Sequence, residues 1–97
     1  MPKFIFTYHA PDGYEPGGSE AITAWHAWFA GMGDALVDMG QPVFERTTIG
    51  QVPDGRLSGY SIVAAEDFEA ATLLAKGCPF LGHGGGVQVG RLEELPS

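Results

Sequence analysis

A glycine followed two positions later by a proline closes two helix-like segments of this sequence. Gly40 precedes Pro42 in the first half of the chain, and Gly77 precedes Pro79 in the second half. Glycine readily takes the left-handed conformation that ends many helices, and the proline beyond it cannot continue the helix. Because a strand-like run precedes each helix, the repetition predicts two βαβ halves lying side by side in a small α+β fold.

The first half begins with a predicted strand over residues 3–9, where side chains alternate between two faces and Phe4, Phe6 and Tyr8 share one of them. Turn-forming residues at 10–18 then predict a long loop. A helix of about 20 residues follows, with Ser19 as its candidate N-cap. Its apolar stripe has three- and four-residue spacing and consists of Ile22, Trp25, Phe29, Met32, Leu36 and Met39.

The second half is predicted to hold two further strands, a second helix and a last strand. The strands cover residues 42–52 and 57–65, and a hairpin turn at 53–56 joins them. Tyr60, Ile62 and Ala64 should share one face of the third strand. The second helix should open at Glu66 and Asp67 and bury Phe68, Ala71, Leu74 and Ala75, and the last strand should start at Val87.

The predicted element order is therefore β-α-β-β-α-β, which is typical of a ferredoxin-like α+β sandwich in a single domain over residues 1–97. Both helices should cover the same face of the sheet. The opposite face then needs a cover, and a second copy of the chain is the simplest one. We therefore expect a homodimer.

Charge and cysteine content exclude several classes of function. The net charge is −7, with 5 Lys and Arg against 12 Asp and Glu, so neither nucleic acid nor an anionic membrane surface is an expected partner. No run approaches the roughly 18 apolar residues of a membrane span, and the start of the sequence lacks the apolar core of a signal peptide. A single cysteine, Cys78, permits no intrachain disulfide. A cytoplasmic location is the expectation.

Several short motifs, in this order and spacing, make the chain resemble the YCII-related (DGPF-containing) family of small bacterial proteins over almost its whole length. The motifs are the opening strand, Ala24-Trp25-His26-Ala27-Trp28-Phe29, Gly40-Gln41-Pro42, Ser58-Gly59-Tyr60-Ser61-Ile62, Gly77-Cys78-Pro79 and Gly84-Gly85-Gly86-Val87-Gln88-Val89. The resemblance implies a ferredoxin-like fold that pairs into a dimeric α+β barrel. It also implies a pocket between the sheet and the first helix, and no settled activity for most members.

The sequence departs from the family pattern at two places. The resemblance implies a histidine on the first helix, which His26 would supply, and an aspartate just before the proline that follows the second helix. Cys78 stands at that second position. The signature Asp-Gly-Pro-Phe is absent, and the nearest stretch is residues 53–56. A histidine–aspartate mechanism therefore does not carry over to this chain.

Four residues are the candidates for a small-molecule pocket: Tyr8, His26, Trp28 and Tyr60. His26 lies about 100° round the helix from Trp25, and it would be the general acid or base of an isomerase- or lyase-like reaction, or else a solvated flank residue. Trp28 is preferred to Trp25 as a pocket wall, because Phe29 more naturally continues the apolar stripe. Core packing is the alternative for both tryptophans.

The remaining residues that could carry chemistry are expected to have structural or solvent-exposed roles. His83 lies in a Gly-rich connection, and His9 ends the first strand; three histidines without close ligand spacing predict no metal site. Cys78 follows a helix end, which opposes thiolate formation and favours a structural role. Asp34 and Asp38 would be an i,i+4 pair on a solvated helix flank. No motif implies a cofactor.

Three functions remain open from the sequence. The first is a dimeric small-molecule-binding protein with a pocket between the sheet and the first helix. The second is a non-enzymatic interaction or regulatory module that uses the open sheet face. The third is a cofactor-independent monooxygenase, an analogy that rests on the fold alone.

Overall fold

The computed structural model describes residues 1–11, 19–52 and 56–95, and these form an α+β structure with a four-stranded antiparallel sheet and two helices. In chain order they are β1 (Lys3–Ala10), α1 (Ser19–Met32), β2 (Leu36–Asp38), β3 (Arg56–Ala64), α2 (Phe68–Ala75) and β4 (Gly86–Arg91). The strands lie in the order β2-β3-β1-β4. This architecture is compatible with the predicted ferredoxin-like fold. The loop predicted at 10–18 and the turn at 53–56 fall mainly outside the described residues.

Strand β1 lies at the centre of the sheet and supplies the core. Every second side chain from Phe4 to Ala10 is buried, and Phe4 and Phe6 are 0% exposed. Antiparallel pairing places Phe4 opposite Val63 and Phe6 opposite Ser61, so the buried residues of β1 and β3 share one face. The predicted alternation of the first strand is confirmed, because one face of the strand packs under helices and the other does not.

Helix α1 is shorter than predicted, since it ends at Met32 instead of continuing to Met39. Gly33 takes a left-handed backbone conformation with φ of 54°, and a short 3-10 helix covers Gly33–Ala35. A left-handed glycine ends the hydrogen-bonding pattern of an α-helix. Leu36 therefore belongs to β2, where it pairs with Val63, although its spacing fits the helical stripe.

The second strand also differs from the prediction, because β2 covers Leu36–Asp38 and not residues 42–52. Within 42–52 the pairing consists of an isolated bridge between Pro42 and Gly59, next to a hydrogen bond of 2.9 Å from Val43 N to Ser58 O. Pro42 has no N–H to donate to a ladder, and Gly50 is left-handed with φ of 75°. The chain therefore leaves the sheet edge after this bridge.

Neither repeated glycine ends a helix in the predicted way. Gly40 is left-handed, with φ of 75°, but it follows a strand. Gly77 follows α2, yet it does not lie in the left-handed region. A Cβ at Gly77 would lie 2.8 Å from Trp28 Nε1, so this glycine makes room for the indole ring. The described residues contain two α-helices, as the repeated motif predicted. The two glycines of the motif, however, have different structural roles.

The beginning of α2 is close to the prediction. Asp67 is its N-cap, and the carboxylate accepts a hydrogen bond of 2.8 Å from Ala70 N. Ala71 and Ala75 are buried against the sheet, whereas Phe68 is about half exposed and touches Phe4 edge-on. Within the described residues, neither helix is long and apolar enough to cross a membrane.

Candidate ligand-binding site

A cavity of about 580 Å³ lies between α1, the sheet and the segment of residues 39–46. Aromatic and aliphatic side chains form most of its wall, with a few polar groups and two arginines among them. The residues that line it are Tyr8, Ala21, Ile22, Trp25, His26, Phe29, Met39, Gly40, Gln41, Pro42, Val43, Phe44, Arg46, Arg56, Ser58, Gly59, Tyr60 and Phe80. The cavity therefore combines an apolar body with a small number of polar positions.

Tyr8 forms part of the cavity wall from the centre of the sheet, and only 5% of it is exposed. Its hydroxyl donates to Ser61 Oγ at 2.8 Å, and Ser61 Oγ donates to the carbonyl oxygen of Met39 at 2.8 Å. The two hydrogen bonds run from the sheet to the segment that bounds the cavity. They satisfy the buried hydroxyls and fix where residue 39 lies.

Burial raises the pKa of the Tyr8 hydroxyl well above its ordinary value. The hydrogen bond with Ser61 opposes this rise in part, and the charge of Cys78 adds to it. The phenol is therefore neutral and acts as a hydrogen-bond donor at physiological pH. Tyr8 can shape the cavity and orient Ser61, but it is not a general base.

The two tryptophans of α1 occupy different places. Trp25 lines the cavity, with its ring 4.8 Å from Tyr8 and 5.1 Å from Phe80, both edge-on. Trp28 lies outside the cavity, stacked on Phe6 at 6.0 Å, and its Nε1 donates to Leu74 O at 3.1 Å. The sequence favoured Trp28 as the wall residue. The structure places Trp28 in the core, because its indole bridges α1 and α2.

His26 and Tyr60 both line the cavity, together with Tyr8. His26 is exposed on α1, and within the described part of the chain its ring has no hydrogen-bond partner. Tyr60 is half-buried on β3. The structure therefore brings three of the four sequence-predicted site residues to one cavity, from three different elements.

Gly40 holds the segment of residues 39–46 close to β3. A Cβ at this position would overlap the carbonyl oxygen of Tyr60, and the backbone is left-handed. The Gly40 N–H donates to Asp38 Oδ1 at 2.8 Å. Because both the space and the conformation require glycine here, the segment that bounds the cavity depends on this residue.

Arg46 and Arg56 are cavity residues that the sequence analysis missed. Residues 42–52 were interpreted as a strand, which would have sent Glu45 and Arg46 to opposite sheet faces. In the structure this segment bounds the cavity instead. A signal was present, because two of only five basic residues lie ten positions apart, one before the predicted turn at 53–56 and the other at its last position.

The other candidate residues lie outside the cavity. Burial is the main cause that raises the pKa of the Cys78 thiol, which supports its predicted structural role. His9 contacts Thr7, with 3.0 Å between Nε2 and Oγ1, and His83 ends the 3-10 helix Pro79–His83. Asp34 lies in a 3-10 helix and Asp38 in β2, so the predicted i,i+4 helix pair does not form.

Potential metal ligands do not cluster in the part of the chain that the structure describes: no three His, Cys, Asp or Glu side chains come together there. A scan against protein-family models finds no match to the chain, and neither does a search of curated proteins or of solved structures. The likeness to YCII-related proteins therefore stays a prediction that rests on the motifs of the sequence.

Proposed function

We propose that this protein binds a small organic molecule in the cavity between the sheet and α1. The observation that carries the proposal is the cavity itself. Its volume of about 580 Å³ lies within the range of ligand sites, and its aromatic wall with few polar groups is typical of them. The resemblance to the YCII-related family, which implies a pocket at this place, supports the same proposal.

Any chemistry in this site would be an isomerase- or lyase-like proton transfer by His26. Imidazole is the side chain that most readily gives and takes protons near neutral pH, and His26 lines the cavity. Tyr8 is kept protonated by burial, so it would serve as a fixed donor beside the ligand. A His26→Gln variant should keep ligand affinity and lose turnover. Retained turnover would remove His26 from this role.

A fluorescence titration with N-phenylnaphthylamine, a neutral aromatic probe, tests the binding proposal. We expect saturable binding to the wild-type protein. Ala21→Leu should weaken it about tenfold, because Ala21 lines the cavity and a larger side chain would occupy ligand space. Ala27→Leu is the matched control, since Ala27 lies exposed on the same helix outside the cavity. Absent binding, or equal effects of the two substitutions, would contradict the proposal.

A non-enzymatic interaction module is the second candidate function. The observation that favours it is the exposure of large apolar side chains after β2, with Phe44 80% and Ile49 89% exposed. Such side chains suit contact with another protein. This candidate predicts that Ile49→Ser, at a residue outside the cavity wall, abolishes partner binding and leaves probe binding intact.

We also propose that the protein is cytoplasmic and forms a homodimer of the α+β-barrel type. Half-buried apolar residues such as Ile5 and Ile62 occupy the sheet face opposite the helices, and a second copy would cover them. Native mass spectrometry tests the pairing. A dimer is the expected species, and a dimer carrying an additional small mass would support the ligand proposal as well. A monomer at micromolar concentration would contradict the pairing.

A further inference from the structure

We propose that the outer edge of β4 and the segment after it pair with the same edge of a second copy of this chain. The two edges would run antiparallel and be related by a twofold axis at Leu92, which joins two four-stranded sheets into one continuous sheet. This pairing uses an edge of the sheet and not the face that would be covered in the α+β barrel, so the inference goes beyond the proposed function.

Strand β4 is one of the two edge strands, because the strands lie in the order β2-β3-β1-β4. It covers six residues, and its pairing with β1 runs without a register shift. The other edge strand, β2, covers three residues and has an irregular register with β3. A long, regular edge offers unpaired backbone groups to another strand, whereas a short or bulged edge discourages pairing. The β4 edge is therefore the one suited to a partner strand.

The register shows which backbone groups of β4 point away from the sheet. Leu92 N donates to Lys3 O at 2.9 Å, which continues the ladder with β1 by one position beyond Arg91. Backbone groups alternate in direction along an antiparallel strand, so those of residues 87, 89 and 91 point outward. Among the described residues, no backbone hydrogen bond outside the helices and the sheet ladders involves these outward groups. They can therefore bond to a second strand.

The charges beside this edge favour a second copy as the partner. An axis at Leu92 places Arg91 opposite the partner's Glu93, and the symmetry repeats this pair of opposite charges. Within one chain, Arg91 Nε lies 3.3 Å from Glu93 Oε1, and both side chains are mostly exposed. The pairing therefore forms a ring of alternating charges, in which each guanidinium has two carboxylate neighbours. An axis at Arg91 would instead place the two arginines opposite each other.

The same axis covers exposed apolar side chains. Leu92 is 41% exposed and would contact the partner's Leu92 at the axis. Leu95 is 87% exposed and would lie opposite the partner's Val89, which is half-buried on β4. Side chains approach each other most closely at non-hydrogen-bonded pairs, and the two Leu92 residues form such a pair. One register thus accommodates the outward backbone groups, the charges and the apolar residues together.

Disulfide trapping of Leu92→Cys tests the pairing. The two introduced cysteines would have Cα atoms about 4.5 Å apart, a distance that a disulfide can span, so mild oxidation should give a covalent dimer. Glu94→Cys is the matched control, because it lies exposed in the same segment. The offset of four residues between the copies separates these cysteines by about 13 Å, and little dimer is expected. Cys78 is 3% exposed and does not compete.

Exchange of the two charges tests the register. In the Leu92→Cys background, Arg91→Glu and Glu93→Arg should each slow cross-linking about tenfold, because like charges then oppose each other twice. The double variant Arg91→Glu/Glu93→Arg should return to within about threefold of the starting rate. Each rate is normalised to alkylation of the same thiol by iodoacetamide, which corrects for the effect of nearby charge on thiol reactivity.

Three results would overturn the inference. They are no cross-linking of Leu92→Cys, equally fast cross-linking of Glu94→Cys, and a double charge variant that stays as slow as the single ones. The substituted residues 91–94 are all exposed, so the variants should fold, which circular dichroism checks. Neither measurement involves the cavity or the sheet face opposite the helices. A failure of the ligand proposal or of the barrel pairing is therefore distinguishable from a failure of this one.

Discussion

The two helices cover the same face of one sheet, but they pack on it in different ways. Helix α2 lies close against β1 and β4 through Ala71 and Ala75, which are buried. In α1 the buried residue is Met32, at its end, while Trp25, Trp28 and Phe29 are only partly buried. Small side chains let a helix approach a sheet closely, whereas large rings act as spacers. The contrast explains why there is room for a cavity under α1.

The aromatic layer beneath α1 should contribute the largest single share of stability. Phe6 is 0% exposed and stacks on Trp28, so Phe6→Ala should lower the free energy of unfolding by about 3–5 kcal/mol. Urea unfolding measures the loss. Phe44→Ala is the control, because Phe44 is mainly exposed, and it should change stability by less than about 0.5 kcal/mol. Similar losses in both variants would mean that α1 does not rest on this layer.

The segment that bounds the cavity should be the next most sensitive place. Gly40→Ala combines a left-handed backbone with a clash against the Tyr60 carbonyl, and about 3 kcal/mol of destabilisation is expected. Gly84→Ala is a matched control, since Gly84 is also left-handed but has open space around it, and about 1 kcal/mol is expected. Thermal unfolding compares the two. Equal effects would show that the contact between residues 40 and 60 is not formed.

Enlarging an alanine tests the contrast between the helices directly. Ala71→Leu should destabilise the protein by about 2 kcal/mol, because Ala71 is fully buried between α2 and the sheet. Ala21→Leu on α1 should cost less than about 0.5 kcal/mol, because its side chain faces a cavity with room for it. Urea unfolding of both variants gives the comparison. A larger loss of stability in Ala21→Leu than in Ala71→Leu would contradict the proposed difference in packing.

The Tyr8 hydroxyl should give the smallest effect, and a pH-dependent one. Tyr8→Phe removes the hydrogen bond to Ser61 and should lower stability by about 1 kcal/mol at neutral pH. Burial raises the pKa of Tyr8 in the folded state, so above about pH 10 the unfolded chain loses its phenolic proton first. The contribution of Tyr8 to the free energy of unfolding is therefore present below that pH and is lost above it. Wild-type stability should fall more steeply there than that of Tyr8→Phe, and parallel curves would contradict this.

Local patterns in the sequence predicted the parts of the fold that depend on neighbouring residues. The alternation from Phe4 to Tyr8 and the start of α2 beside Asp67 are set within a few positions, and both were predicted correctly. The end of α1 was missed, because Leu36 and Met39 continue a helical spacing beyond Gly33. Leu36 pairs with Val63, and the carbonyl of Met39 accepts a hydrogen bond from Ser61, and both partners lie more than twenty residues away along the chain.

The candidate site was predictable to a similar extent. Tyr8, His26 and Tyr60 were expected at a pocket and line the cavity. Trp28 was preferred to Trp25 on helical spacing, but the hydrogen bond from Trp28 to Leu74 places it between the helices. Arg46 was missed because its position depends on where the chain leaves the sheet edge after Pro42. Such tertiary contacts are not encoded in the spacing of nearby residues.

The most direct test of the ligand site uses the two indole N–H signals in an NMR titration with N-phenylnaphthylamine. Trp25 lines the cavity, while Trp28 donates its indole N–H to Leu74 O in the core. The structure predicts that the Trp25 signal shifts and saturates as ligand is added, and that the Trp28 signal hardly moves. Assignment with Trp25→Phe identifies the two signals. A titration in which the Trp25 signal stays unchanged, or in which Trp28 alone shifts, would contradict binding in this cavity.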